Sequence, residues 1–350
     1  MAQLPANRVC VPGESRVGRY IAGRLVQLVF VLVGVSVVVF VTMHLLPGDV
    51  AQFLLGEHAT IEQLQRLREQ LGLDQPVWIQ YLRFLRGVAG FDFGTSIQSG
   101  HPAIEDVLIA FPVTLQLTLA SLALASLLGV PIGVIAGVRH GSRLDVAVMS
   151  MTLFGVSMPI FWLGLMLLVL FAAGLGWLPV GGLMPVELQP PRLTGMSILD
   201  SLLTGDPTMV AASVRHMILP TVTLASVPLA LITRITRAEI MAAATLDHVR
   251  TARAKGVAER RVILRHILRN ASIPIVTVIG LQLGLLLSGA VLTETIYSLP
   301  GLGRLMVDSI LSRDYPVVQA GALFIATLFV LVNLLVDISY AALDPRIGHV

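Results

Sequence analysis

LIAFPVTLQLTLASLALASLLGVPIGVIAGV, residues Leu108–Val138, contains no Asp, Glu, Lys or Arg. A helix that crosses the hydrocarbon core of a bilayer needs about 20 mostly apolar residues. This stretch meets the requirement, and so do runs near Ile21–Leu46, Val146–Leu175, Met217–Ile235, Ile275–Glu294 and Val317–Leu343. The chain therefore reads as an all-α integral membrane protein with six transmembrane helices. Composition agrees: of 350 residues, 55% are apolar and 13% charged, whereas soluble domains run near ~25% charged. That balance excludes a soluble enzyme carrying a membrane tail. The single cysteine, Cys10, excludes an internal disulfide and suits a tail on the reducing side. The first apolar run is longer than a signal peptide's core of roughly 7–15 residues, so a cleaved leader is not expected.

The chain divides into a polar N-terminal tail (1–18), a first transmembrane helix (19–46), a polar segment (47–107) and a core (108–346) that holds helices two to six. In the 47–107 segment, Ile61, Leu64, Leu67 and Leu71 recur at helical spacing. Trp78, Tyr81, Phe84 and Leu85 form a second short amphipathic pattern after Pro76. These helices either cap the first span or lie on lipid. Pro131 and Pro159 are expected to bend the second and third spans. A Pro- and Gly-rich stretch follows at 176–215, and a basic one at 236–273.

An even number of spans puts both termini on one side, and charge selects which. With the N-terminus cytoplasmic, the inner segments hold 16 Lys and Arg against 7 Asp and Glu; the outer segments hold 8 against 14, which reproduces the net +3. The opposite orientation would place nine basic residues between Arg234 and Arg269 outside, against the positive-inside rule. The sequence thus predicts a multi-pass protein of the cytoplasmic membrane. Residues 47–107 and 176–215 are expected outside, and 139–145 and 236–273 inside.

Ionisable residues are nearly absent from span interiors; His44, Glu294 and Asp337 fall toward span ends. Ion-coupled carriers usually place such groups near the midplane, so the driving energy is expected from elsewhere. There is no His-Glu-x-x-His, no Gly-x-Ser-x-Gly and no phosphate-binding Gly-x-x-x-x-Gly-Lys-Ser/Thr. No catalytic residue, metal site or nucleic-acid interaction is expected. Polar points such as Gln116, Gln282 and Asn333 either line a mostly apolar pathway or make hydrogen bonds between helices. Gly280, Gly284 and Ser288 lie four residues apart, a small-residue face where another helix can approach closely, in a moving or a static contact.

The segment Thr245–Asn270, TLDHVRTARAKGVAERRVILRHILRN, carries the most information. Thr245 can cap a short helix, and Gly256 can end it in the left-handed conformation. Ala252 and Ala254 keep its surface low, while Arg250, Arg253 and Lys255 supply donors. Arg260, Arg261, Arg265 and Arg269 mark a second basic helix. The segment is either a juxtamembrane loop facing anionic lipid or a plug for a groove on a partner protein.

Asp247-His248-Val249-Arg250-Thr251-Ala252-Arg253-Ala254-Lys255-Gly256 resembles the coupling loop of permease subunits of binding-protein-dependent ABC importers, and most closely the dipeptide, oligopeptide and nickel branch. Leu45-Leu46-Pro47-Gly48-Asp49, Phe91-Asp92-Phe93-Gly94-Thr95-Ser96, Pro131-Ile132-Gly133 and Ser157-Met158-Pro159 with Phe161-Trp162 resemble the same branch. So do Pro300-Gly301-Leu302-Gly303, Arg313-Asp314-Tyr315-Pro316 and Leu343-Asp344-Pro345-Arg346. The likeness spans roughly residues 19–346. Arg250-Thr251-Ala252 stands where the general importer motif has Glu-Ala-Ala, as in the first permease subunit of the peptide branch; His248 replaces the usual aromatic before Val249.

The resemblance implies a type I importer transmembrane domain with an extracytoplasmic insertion after the first span. It implies a homologous second permease subunit, two cytoplasmic ATPases and an extracytoplasmic solute-binding protein. ATP and Mg would be held by the ATPases, with no cofactor on this chain. The cargo would be peptides, or alternatively nickel chelates, haem or another small solute. A membrane scaffold or channel is the more distant alternative.

Overall fold

The computed structural model describes residues 14–45, 60–71 and 74–343. The tail before residue 14, the Leu46-Pro47-Gly48-Asp49 stretch and the final Asp344-Pro345-Arg346 lie outside the described residues. Every regular element among the described residues is helical.

The chain opens with α1 (Glu14–Leu45), α2 (Ile61–Leu71) and α3 (Val77–Ala89). A capping box starts α2: the Gln63 amide donates to Thr60 Oγ1 and the Thr60 amide to Gln63 Oε1. One face of α3 docks on α1. The Tyr81 ring lies 5.2 Å from that of Phe40, and its hydroxyl is 2.9 Å from Ser36 Oγ. Trp78 and Leu82, on other sides of α3, stay exposed. The described part of the 47–107 segment therefore covers α1 and also retains an apolar outer face.

Next come α4 (Ala103–Val138), α5 (Arg143–Ser157) and α6 (Ile160–Leu167), which runs into a π-helical turn, Leu168–Gly174. α4 starts five residues before the apolar run that marks it in sequence, because Glu105 and Asp106 occupy a favourable first turn. α5 and α6 meet at 100°, at a break spanning Met158 and Pro159. The expected bend in the third span is thus a full break: Pro159 has no amide hydrogen to continue the ladder.

A short α7 (Ser197–Thr204) leads to the long α8 (Pro207–Ala244). Asp206 caps α8 by accepting from the Thr208 amide, and Pro207 takes the first-turn position that needs no donor. The apolar run Met217–Ile235 is only the middle of this helix. Then follow α9 (Asp247–Ala254), the single turn α10 (Glu259–Arg261), a π-helical turn Val262–Ile267, and α11 (Leu268–Gly289). Two short helices, α12 (Val291–Ile296) and α13 (Leu302–Leu311), precede the terminal α14 (Tyr315–Leu343).

Four stretches are long and apolar enough to cross a bilayer: Ala103–Val138, Pro207–Ala244, Glu259–Leu287 and Tyr315–Val336. The bent α5–α6 pair makes a fifth crossing if taken as one. α1 carries the shorter apolar stretch Val26–Thr42. The count of six thus takes the broken pair as one crossing and α1 as another.

The most extensively packed helix pair is α4 with α8. Gly129, Gly133 and Gly137 of α4 face Ile232, Thr236 and Ile240 of α8. A Cβ at position 133 would lie 2.6 Å from Thr236 Cβ and 2.7 Å from the Thr233 carbonyl oxygen. Without a hydrophobic drive between helices in lipid, such close approach is what holds spans together. A second contact of this kind joins α11 to α14, where Gly280 meets Val336 and Gly284 meets Phe329. Ser288 lies on α11, and its side chain is outside the described residues.

Candidate functional site

The basic segment folds as a compact unit attached to two spans. α9 follows α8 after two residues, and α10 with its π turn leads into α11. Val249 is fully buried and Ala252 nearly so, against Ile240, Ala243, Val262 and Ile267. This cluster joins the end of α8, α9 and the start of α11 in one core.

Thr245 does not cap α9. Its hydroxyl donates back to the Ala242 carbonyl, and the residue closes α8; Leu246 holds the cap position without a side-chain bond. Gly256 does adopt a positive φ, 74°. The turn is drawn in by the Gly256 amide to Arg253 O and the Val257 amide to Ala252 O. Nothing lies within 4 Å of where a Cβ at 256 would sit, so the constraint there is conformational and not steric.

Two surfaces follow from this seating. Val249 and Ala252 face the chain's own core, so the smallness of Ala252 serves internal packing; it offers no low surface to a partner. Asp247, His248, Arg250, Thr251, Arg253, Ala254, Lys255 and Gly256 remain exposed. Arg253 is tied to Glu259 at 2.7 Å, and Asp247 Oδ1 is 3.7 Å from Arg250. His248 Nε2 lies 2.9 Å from Asn270 Nδ2. Lys255 has no carboxylate partner among the described residues. The outward face is therefore basic, stiff at its Arg253 edge, loosely paired at Arg250 and open at Lys255.

A second ion pair sits nearby along the same helices. Arg237 of α8 grips Asp145 of α5 through Nε and Nη2, while the Gly141 amide donates to Asp145 Oδ2. It fastens the 139–145 turn to the helix that carries α9. Both residues fall in segments that the sequence marks only as cytoplasmic, 139–145 and 236–273, and nothing in it pairs them across a separation of 92.

At the other end of the bundle, buried polar groups fix the short helices. Glu294 is fully buried; it accepts from Thr114 Oγ1 and from the Arg304 amide at the start of α13. A Cβ at Gly301 would overlap its carboxylate, which accounts for glycine there. Glu294 is thus not the marginal span-end charge that its place in sequence suggests. Tyr297, one turn on, is also fully buried, 2.8 Å from Thr223 Oγ1, and donates to the Gly164 carbonyl. These bonds tie α12 and α13 to α4, α6 and α8.

Gln116 belongs to this framework. Its Nε2 donates to Ser197 Oγ and its Oε1 accepts from the Ile198 amide, so it clasps α4 to α7. Gln282 is buried on α11. Asn333 faces Gly284 across the α11–α14 contact. The three residues lie on three different helices, α4, α11 and α14. Asp200 accepts from the Thr194 hydroxyl and amide and from the Gly195 amide. Burial pushes its carboxyl up, but those donors outweigh it and leave it below the usual carboxylate range.

Comparison with known proteins places the whole chain. The model of the family described as "Binding-protein-dependent transport system inner membrane component" matches residues 129–349, and that of its N-terminal companion matches 17–118. The chain is 44% identical over 331 residues to the di/tripeptide transport system permease protein DppB of Pseudomonas aeruginosa, covering 94% of this chain and 98% of that one. It is 43% identical over 335 residues to the dipeptide transport system permease protein DppB of Escherichia coli K12, covering 95% and 99%. It is 41% identical over 330 residues to the glutathione transport system permease protein GsiC of Salmonella paratyphi A, covering 94% and 99%. Among solved structures, an inward-facing form of the MetNI methionine ABC transporter superposes with a TM-score of 0.50 at 16% identity, over 68% of this chain and 96% of that one. That likeness is one of fold.

Proposed function

The chain belongs to the family of binding-protein-dependent transport system inner membrane components, and from that premise we propose that it forms half of the translocation pathway of an ATP-driven importer of short peptides. The observation that carries the reading is the preformed basic helix Asp247–Ala254, ended at Gly256 and seated between two spans, in a chain whose full-length relatives are named for di- and tripeptides, dipeptides and glutathione.

In this reading α9 docks in a groove of a cytoplasmic ATPase. ATP closes two such ATPases, which hold the nucleotide and Mg, and closure displaces α9. Because Val249 and Ala252 lock α9 to α8 and α11, that displacement moves both spans together. A homologous second permease subunit completes the pathway, and a solute-binding protein delivers cargo to the opposite mouth. The chain itself contributes a gate and a route, with no covalent chemistry. Both termini, 139–145 and 236–273 lie in the cytoplasm, and the protein resides in the cytoplasmic membrane; the charge asymmetry supports this orientation.

The test is reconstitution. The complex of both permeases and both ATPases, in proteoliposomes with its binding protein, is expected to accumulate a labelled dipeptide only when ATP is present on the ATPase side. Uptake that follows a proton gradient at constant ATP, or purification in mild detergent with no ATPase bound, contradicts the proposal.

A further inference from the structure

The amphipathic helix α3 has an apolar side that its packing on α1 does not use. Over its 13 residues, at about 100° per residue, Tyr81 and Phe84 turn to one side and meet the Phe40 ring of α1. Trp78, Leu82, Leu85 and Ala89 recur at helical spacing on the adjoining side. Trp78 and Leu82 are 64% and 56% exposed there. Arg83 and Arg86 lie on the far side and are exposed; neither makes an ion pair among the described residues.

The level at which α3 meets α1 decides what the remaining apolar side faces. The apolar stretch of α1 is Val26–Thr42. At a rise of about 1.5 Å per residue it extends roughly 25 Å, less than the ~30 Å of a hydrocarbon core, so all of it is needed within lipid if α1 crosses. Ser36 stands six residues before Thr42, which puts it about 9 Å inside the boundary on the side where α1 ends. The Tyr81 hydroxyl reaches Ser36 at that depth. Where water is excluded, polar groups have to be satisfied within the protein, and here they are. Ser36 Oγ donates to the Val33 carbonyl at 2.7 Å, and so is left to accept from the Tyr81 hydroxyl at 2.9 Å. Around the same level α1 leaves Val37, Val38 and Val41 exposed. The apolar stripe of α3 thus arrives at the height of a surface that only lipid suits.

We propose that α3 is an interfacial helix of the outer leaflet, with Trp78, Leu82 and Leu85 among phospholipid acyl chains and with Arg83 and Arg86 on the headgroup phosphates. The apolar faces of such helices sink about 5–10 Å into the headgroup–acyl boundary, the depth that the Ser36 contact sets. Trp and Tyr favour this zone, and guanidinium groups match phosphate oxygens in pairs. The segment after the first span is then anchored in the membrane. It holds at a fixed height the turn whose Ser96 donates to Asp314, just ahead of α14. The inference does not need the importer reading, which supplies only the side that counts as outer.

The chain, purified with the subunits that accompany it, is placed in nanodiscs of phosphatidylethanolamine and phosphatidylglycerol. Single cysteines at Leu82, Leu85, Ala89, Arg83 and Arg86 in a Cys10→Ser background carry a nitroxide. Oxygen concentrates among acyl chains, so its collisions should exceed those of a water-soluble nickel chelate several-fold at Leu82, Leu85 and Ala89. At Arg83 and Arg86 the order should reverse, and nickel carried on a lipid headgroup should broaden the signal more than at Leu82. A second measure keeps the native helix surface in one arm. Phospholipid brominated high on its acyl chains should quench tryptophan fluorescence in the wild-type chain more than in Trp78→Phe, where Trp162 and Trp177 remain. Nickel chelate reaching Leu82 as freely as Arg83 would place the stripe in water. A Leu82 label shielded from both collision partners would show that another protein covers it. Either result, or equal quenching of the wild type and Trp78→Phe, overturns the proposal.

Discussion

Replacing Gly133 by alanine should loosen the α4–α8 pair more than any other single methyl group in this helix. The added Cβ would stand 2.6 Å from Thr236 Cβ and 2.7 Å from the Thr233 carbonyl oxygen, and a backbone oxygen cannot rotate away. Ordinary carbon contacts fall at about 3.5–4.0 Å, so the helices must part by roughly 1 Å at this point. Overpacking of this kind costs about 1–3 kcal/mol. The backbone obstacle puts Gly133→Ala in the upper part of that range, before alanine's better helix propensity returns up to about 1 kcal/mol. We expect a net loss near 2 kcal/mol. At Gly137 the nearest atoms lie at 2.9 Å, and at Gly129 at 3.1 Å, so the effect should decline in the order 133, 137, 129. Gly34→Ala, with nothing within 4 Å, is the control for propensity alone. Unfolding by increasing sodium dodecyl sulfate in mixed micelles, followed by tryptophan fluorescence, gives the ranking. If Gly133→Ala unfolds within about 0.5 kcal/mol of Gly34→Ala, the pair is not held by close approach, and the reasoning fails.

Three further outcomes are expected. In the coupling segment, Arg250→Glu and Lys255→Glu should leave unfolding unchanged and abolish substrate-stimulated ATP hydrolysis. Val249→Asp should instead destabilise the chain by about 3 kcal/mol, because it buries a charge. Gly256→Val should impair coupling more than Gly256→Asn, since asparagine tolerates a positive φ; wild-type stimulation in Arg250→Glu, Lys255→Glu and Gly256→Val would reduce the segment to a basic surface loop. For topology, single cysteines at Gln98 and Leu203 in a Cys10→Ser background should react with an impermeant thiol reagent on intact cells, and one at Glu259 should not. Leu203 is 59% exposed, whereas Ser197 is buried and bonded to Gln116 and makes a poor probe. Finally, Asp200 is held below its ordinary 3.8 by Thr194 and Gly195 against burial, so it stabilises its loop above that range, and the contribution is lost as pH falls below it. Asp200→Asn should flatten the acid limb of stability measured from pH 6 to 3, and an unchanged limb would show that the carboxylate contributes nothing there.

The spans were legible because long apolar runs have few other uses, and the 100° break was half legible from Pro159. Gly256 could be read from the residues around it, since few other residues close a helix with positive φ. The inward and outward sides of α9 could not. Both alanines look alike in sequence, and only the packing of α8 and α11 decides that Ala252 is covered while Ala254 is not. The glycine ladder of α4 carried the same four-residue signal as Gly280 and Gly284, and its spacing alone could have located this close pair. Lipid-facing helices are apolar on all sides, so hydrophobic periodicity is silent about which face meets a neighbour. Glu294 was misjudged for a related reason. A carboxylate near a span end looks solvated until Thr114, Gly301 and the Arg304 amide are brought around it from far along the chain.

The covered position of Val249 also bears on how a transporter of this kind would be put together. A recognition helix that orders only upon meeting its partner surrenders part of the contact energy to its own folding. Here the helix is already ordered by residues from α8 and α11, so an ATPase arriving at a newly inserted subunit would meet a finished surface. Association would then be limited by encounter, hastened by the unpaired charge of Lys255 and slowed by added salt. The same arrangement would give the cell a means of inspection: a subunit whose spans had not yet packed could not display the helix, and so could not recruit an ATPase before its gate was in place.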